Sequence, residues 1–140
     1  IDLDTISLGY IKSEIPEGNF VRADICFLPI KAKSLAAIVS IAVIHEINTI
    51  KERERAIREF SRVLKNAGYL YLIDTFSTRK FFEVIRRLLR KISRKYEWYW
   101  SVNRMIGCLQ KHNFEIPTIR RIGEVTPARA IYFVLSKLRD

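Results

Sequence analysis

The most apolar block along this chain is residues 35–46, L-A-A-I-V-S-I-A-V-I-H-E, in which ten apolar or small residues are closed by a histidine and a glutamate. Ten residues fall well short of the ~20 that cross a membrane as a helix. Ile38, Val39, Ile41, Val43 and Ile44 are β-branched, which predicts a strand packed on both faces, as in a parallel sheet. Before it, Asp4 or Thr5 caps a predicted helix to about Glu14, with Ile6, Leu8, Tyr10, Ile11 and Ile15 as a partly helical apolar face. Pro16, Glu17 and Gly18 end that helix. F-V-R-A-D at 20–24 reads as a short strand, and 25–34 as a loop. After the apolar block, Asn48 or Thr49 caps a helix over 50–64, with Ile50, Ala56, Ile57, Phe60, Val63 and Leu64 inward and K-E-R-E-R facing water. Asn66, Ala67 and Gly68 stop it, and 69 to about 74 is a further strand. Strands alternating with helices predict an α/β sheet.

From Thr78 the pattern changes. Phe81, Phe82, Ile85, Leu88, Leu89 and Ile92 form an apolar stripe amid Arg79, Lys80, Arg86, Arg87, Arg90, Lys91, Arg94 and Lys95, opposed only by Glu83. This predicts a basic amphipathic helix, followed at once by the aromatic residues Tyr96, Trp98, Tyr99 and Trp100. A helix over 102–112 then precedes two antiparallel strands, 115–125 and 130–135, joined by a turn at Thr126 and Pro127. No internal repeat or low-complexity segment interrupts the 140 residues, so a single domain is expected, with a basic helical insertion at about 78–100.

Composition adds a partner class. Lys and Arg outnumber Asp and Glu by 25 to 15, a net charge of +10, which favours a polyanion through counterion release. RNA is the first candidate and a membrane surface the lesser one. Arg86, Arg87, Arg90, Lys91, Arg94 and Lys95 would hold phosphates, and Trp98 and Tyr99 would stack on unpaired bases; the plain alternative is a solvated helix face. Cys26 and Cys108 stand far apart, which indicates neither a disulfide framework nor a zinc site and suits a cytoplasmic protein; small core residues are the better reading of both. The chain opens on Ile1, and I-D-L-D resembles the end of a buried strand, so a preceding amino-terminal part is expected.

In open parallel sheets ligands sit beyond the carboxyl ends of strands, which makes residues 40–46, and His45 first among them, candidates for chemistry. The plain reading of His45 is a strand-end histidine bonded to backbone; that of Asp2 and Asp24 is a cap and a turn residue.

The element order and several motifs resemble the class I S-adenosylmethionine-dependent methyltransferases over nearly the whole chain. I-D-L-D, the A-D-I of 23–25, the L-P of 28–29, S-I-A-V-I-H-E at 40–46 and R-E-F-S-R-V-L-K-N-A-G at 58–68 carry the likeness. The resemblance implies a Rossmann-like sheet, here amino-terminally truncated, with a carboxyl-terminal antiparallel strand pair. It implies S-adenosylmethionine as cofactor, with Asp2 at the ribose hydroxyls, Asp24 at the adenine amino group, and Ile25, Ser40 and Ile41 beside them. S-I-A-V-I-H-E is most similar to the enzymes that methylate a carboxymethyl group on the wobble uridine of transfer RNA, although Glu46 stands where they carry a second histidine. A substrate carboxylate, ionised at neutral pH, would attack without a base, and His45 would orient it. That branch works with a small zinc-binding activating subunit, which becomes an expected partner. Two other readings stand beside it: a small-molecule or lipid methyltransferase of the same fold, and a non-catalytic RNA-binding or subunit remnant. The glycine-rich loop of the family is absent from these residues, and the strand it follows would lie beside the 35–46 strand. Something is therefore expected to cover that edge: a repositioned 20–24 strand, a partner chain or a preceding segment.

Overall fold

The computed structural model describes residues 1–77, 100–126 and 129–139. The predicted basic helix, Trp98, Tyr99 and the cations at 79–95 lie outside the described residues, as does Pro127 of the predicted turn. The elements are α1 (Thr5–Glu14), β1 (Leu35–Ile41), a 3₁₀ turn (Ile44–Glu46), α2 (Ile50–Val63), β2 (Leu64–Ser77), α3 (Val102–Lys111), β3 (Phe114–Thr126) and β4 (Arg129–Leu138). They build a four-stranded sheet in the order β1-β2-β4-β3.

Each helix starts where the polar pattern placed it. Asp4 caps α1 by accepting from the Ile6 and Ser7 amides, and Thr49 and Glu52 form a reciprocal capping box on α2. Ser101 caps α3 through the Arg104 amide. A parallel pair needs a crossover, and α2 supplies it between β1 and β2. β3 and β4 form the expected antiparallel pair, and β4 also runs antiparallel to β2, so the sheet is mixed. In β2 the even positions Leu70, Leu72, Asp74 and Phe76 are buried. Leu70, Leu72 and Phe76 pack with Ala56, Ile57, Phe60 and Val63 of α2, Met105 and Leu109 of α3, and Val134 and Leu138 of β4 in one core. The loop before β1 is tied to α2: Glu59 accepts from the Leu28 amide (3.0 Å), and Arg62 donates to the Leu28 and Ile30 carbonyls (2.9 and 2.8 Å).

Four expectations are corrected. Residues 20–24 form no strand; Arg22 makes only an isolated bridge with Asp2, because the short segment finds that single backbone partner instead of a sheet neighbour. The apolar block yields a strand only to Ile41, since Ala42 takes a left-handed φ of 55° and turns the chain out of the sheet. That strand is not packed on both faces: it is the outer strand, Val39 and Ile41 are 65% and 58% exposed, and among the described residues nothing pairs with its outer edge. Arg53 of the K-E-R-E-R run does not face water; it is 1% exposed, because its guanidinium reaches the carbonyls ahead of α2. The apolar positions of α1 also stay uncovered, Ile6 and Tyr10 most of all, and the helix buries no residue.

Candidate functional site at the ends of β1 and β2

Where β1 ends, the Ala42 amide still donates to the Ile73 carbonyl (2.9 Å), after which the left-handed residue directs the chain across the tip of β2. A non-glycine residue held there is the kind of local strain that clusters at functional sites. The 3₁₀ turn that follows is fixed from two sides. From below, Asp74, an inward residue of β2 and 2% exposed, accepts from the Ile44 amide at 2.7 Å. From α2, buried Arg53 donates to the Ile47 carbonyl (2.9 Å) and the His45 carbonyl (3.3 Å). His45 is thereby set with its Nδ1 2.6 Å from Asp74 Oδ1, an oxygen that also accepts from the Thr75 amide at 2.7 Å. The other ring nitrogen, Nε2, stands 2.8 Å from Glu46 Oε1, on a side chain 71% exposed. A buried carboxylate with two amide donors is held as an acceptor, so Nδ1 carries the proton toward it. Both ring nitrogens thus face carboxylates, the buried one of Asp74 and the exposed one of Glu46, and the Glu46 contact is a hydrogen bond only while Nε2 also bears a proton.

Beside β1 an apolar cleft of about 120 Å³ is lined by Ile1, Ile25 and Leu28 on one side and by Ile38, Ser40 and Val43 on the other. Ser40 is 5% exposed, and its Oγ has no hydrogen-bond partner among the described residues. An unsatisfied buried hydroxyl costs roughly 1–3 kcal/mol, so this one awaits a polar group from a ligand or water.

The chain brings the two acids together. Asp2 pairs through backbone with Val21 and Ala23, the residues on either side of its bridge partner Arg22 and just ahead of Asp24. Their own neighbours Ile1 and Ile25 line the cleft with Ser40. Asp2 is exposed, with Oδ1 accepting from the Asp4 amide; half-buried Asp24 accepts from the Cys26 amide. Asp24 thus has the turn role of the plain reading, whereas the helix cap is Asp4 and not Asp2, and each of Asp2 and Asp24 keeps an oxygen that no backbone amide of the described residues occupies. Ile41 points away and does not line the cleft. Burial, reinforced by the charge of Asp24, pushes the Cys26 thiol up to about 11, and burial pushes Cys108 up to about 12; neither is a thiolate nucleophile near neutral pH.

Sequence reasoning gave Asp74 and Arg53 no role. Both had a signal. In L-x-L-x-D-x-F an acid occupies an inward position of an alternating strand, and Arg53 falls three and four residues before Ala56 and Ile57 on the buried stripe of α2. A charge at a core position demands a partner.

Residues 1–72, just over half of the 140, match the family model described as a methyltransferase domain. A provisionally named methyltransferase of Encephalitozoon cuniculi is 42% identical over 67 residues, covering 45% of this chain and 32% of that protein. The ubiquinone/menaquinone biosynthesis C-methyltransferase UbiE of Campylobacter jejuni is 34% identical over 74 residues, covering 53% of this chain and 30% of that protein. The chain therefore spans about a third of the length of these relatives. Among solved structures, a SAM-dependent methyltransferase of Methanosarcina mazei superposes with a TM-score of 0.80 at 18% identity, over 99% of this chain and 80% of that one. That likeness establishes the fold, and S-adenosylmethionine is the cofactor that the domain and its neighbours imply. With the family model covering more than half of it, this chain belongs to the methyltransferase domain family.

Proposed function

We propose that the chain acts in methyl transfer from S-adenosylmethionine to a small organic acceptor. The unpartnered Ser40 hydroxyl in the apolar cleft, five residues before His45 on the same strand end, carries the proposal. An apolar wall with one idle hydroxyl and two nearby carboxylates suits a nucleoside, which offers a flat base together with hydroxyl and amino donors. Ser40, Ile25, Asp24 and Asp2 would hold it. Bound there, the sulfonium supplies an activated methyl group. The cleft takes part of such a molecule, not all of it. The Campylobacter relative is named for methylation at carbon in ubiquinone and menaquinone biosynthesis, and this supports a small acceptor.

Titration calorimetry with S-adenosylmethionine tests the reading. Micromolar binding, about −8 kcal/mol, is expected, and Ser40→Ala should weaken it while raising the unfolding free energy by roughly 1 kcal/mol, since the substitution removes an unsatisfied buried group. Absence of heat with the wild-type chain overturns it.

The second reading, transfer to the wobble-uridine carboxylate of transfer RNA, is favoured by the +10 charge and the S-I-A-V-I-H-E motif. Under it, a zinc-binding subunit or a second chain would be the protein partner. Binding to transfer RNA that falls steeply with salt would support it over a membrane role.

A further inference from the structure

We infer that His45 and Asp74 form a general-base couple, so that the preferred acceptor is one whose attacking atom carries a dissociable proton, a hydroxyl, an amine or an acidified carbon, and not a carboxylate. The inference about the acceptor rests on the methyltransferase reading; the state of the couple does not.

A carboxylate is already an anion at neutral pH and needs no base. Nothing in its methylation would call for the arrangement built here. Asp74 is fully enclosed, and its Oδ2 is committed to the Ile44 amide while its Oδ1 takes both the Thr75 amide and His45 Nδ1. Enclosing a carboxylate is costly and is offset only by such donors. The same contacts fix one tautomer of neutral His45, with the proton on Nδ1 and the lone pair on Nε2, and they place a compensating negative charge behind the ring when Nε2 gains a proton. Among the described residues, the charged and titratable groups facing His45 are Asp74, Glu46 and, at its carbonyl, Arg53. Glu46 Oε1 stands 2.8 Å from Nε2, a contact that is attractive only while Nε2 bears a proton; such an exposed pair is worth about 0–1 kcal/mol, so an incoming acceptor can displace it and meet Nε2 in the neutral ring. In the step, the acceptor's proton passes to Nε2 as the acceptor atom bonds to the methyl carbon; the methyl–sulfur bond pair stays on sulfur, and the imidazolium later releases its proton to water beside Glu46.

The experiment is a long-range proton–nitrogen correlation spectrum of the ¹⁵N-labelled full chain, with His45 distinguished from His112 by the His45→Gln spectrum. Neutral His45 should be protonated on Nδ1. Asp74→Asn, whose amide can donate to Nδ1, should switch it to Nε2–H, whereas Glu46→Gln should leave Nδ1–H in place. A wild-type ring protonated on Nε2 overturns the inference without reference to any variant, as does an unchanged tautomer in a folded Asp74→Asn protein. In parallel, calorimetry with S-adenosylhomocysteine should give the same affinity for wild type and Asp74→Asn; loss of binding in the wild type itself would overturn the methyltransferase reading and leave the tautomer result standing. With S-adenosylmethionine and a phenol as acceptor, Asp74→Asn should lower kcat by about 10²–10⁴-fold, the range of general-base catalysis. Methylation of a benzoate carboxylate at a higher rate than the phenol, insensitive to Asp74→Asn, would overturn the acceptor assignment.

Discussion

At the residue scale, single charged side chains here act by fixing backbone. Arg53 and Asp74 hold the His45 turn from opposite sides, and Glu59 with Arg62 does the same for the loop that forms one wall of the cleft. The Arg62 guanidinium, followed by the Leu28 amide, holds the Glu59 carboxyl below its ordinary value of 4.5. A depressed carboxyl stabilises the fold above its unfolded value and loses that contribution as pH falls through the folded one. Glu59→Gln should therefore cost about 1 kcal/mol in urea unfolding at neutral pH, a figure kept low because Arg62 is partly solvated. The difference from wild type should shrink as the pH is lowered below 4.5, and a gap that persists in acid would show that shape rather than charge ties the loop.

At the element scale, α2 is the part that everything else depends on. It supplies the crossover that makes β1 and β2 parallel, buries Ala56, Ile57, Phe60 and Val63, and sends Arg53 to the turn. Its start is set by the Thr49 and Glu52 capping box. Thr49→Ala should lower stability by about 1 kcal/mol, read as a shift in the denaturation midpoint with unchanged slope. The junction from α2 into β2 is as restrictive: Ala67 has a φ of 58°, and a Cβ on Gly68 would lie 2.8 Å from the Lys65 carbonyl and 3.1 Å from that of Ala36. The N-A-G sequence is thus a tight backbone crossing at the foot of β1, and reading it as a helix stop captured only part of its work.

At the scale of the whole molecule, the sheet runs from a well-buried β2 and β4 to an outer β1. Because the Ala42 amide bonds to Ile73 and successive amides along a strand point alternately to its two sides, the Val39 and Ile41 amides face away from β2. In hydrogen exchange, Val39 and Ile41 should exchange fast, and Ile38 and Ser40 slowly. Protection at Val39 and Ile41 would mean that another strand pairs with this edge in solution, the arrangement expected from an apolar, β-branched outer strand.

The sequence by itself determined the helices and their caps, the antiparallel pair at the carboxyl end, and the tip of the apolar block as the place for His45, because capping chemistry, period and β-branching act over a few residues. The methyltransferase likeness was legible for the same reason, through short local motifs. Only the tertiary structure decided that nothing among the described residues covers the outer edge of β1, that residues 20–24 stay out of the sheet, and that Arg53 is buried. It alone placed Asp74 against His45 across 29 residues of chain. Such pairings depend on which strands become neighbours and on what a charged group meets once enclosed, and neither is encoded in local spacing.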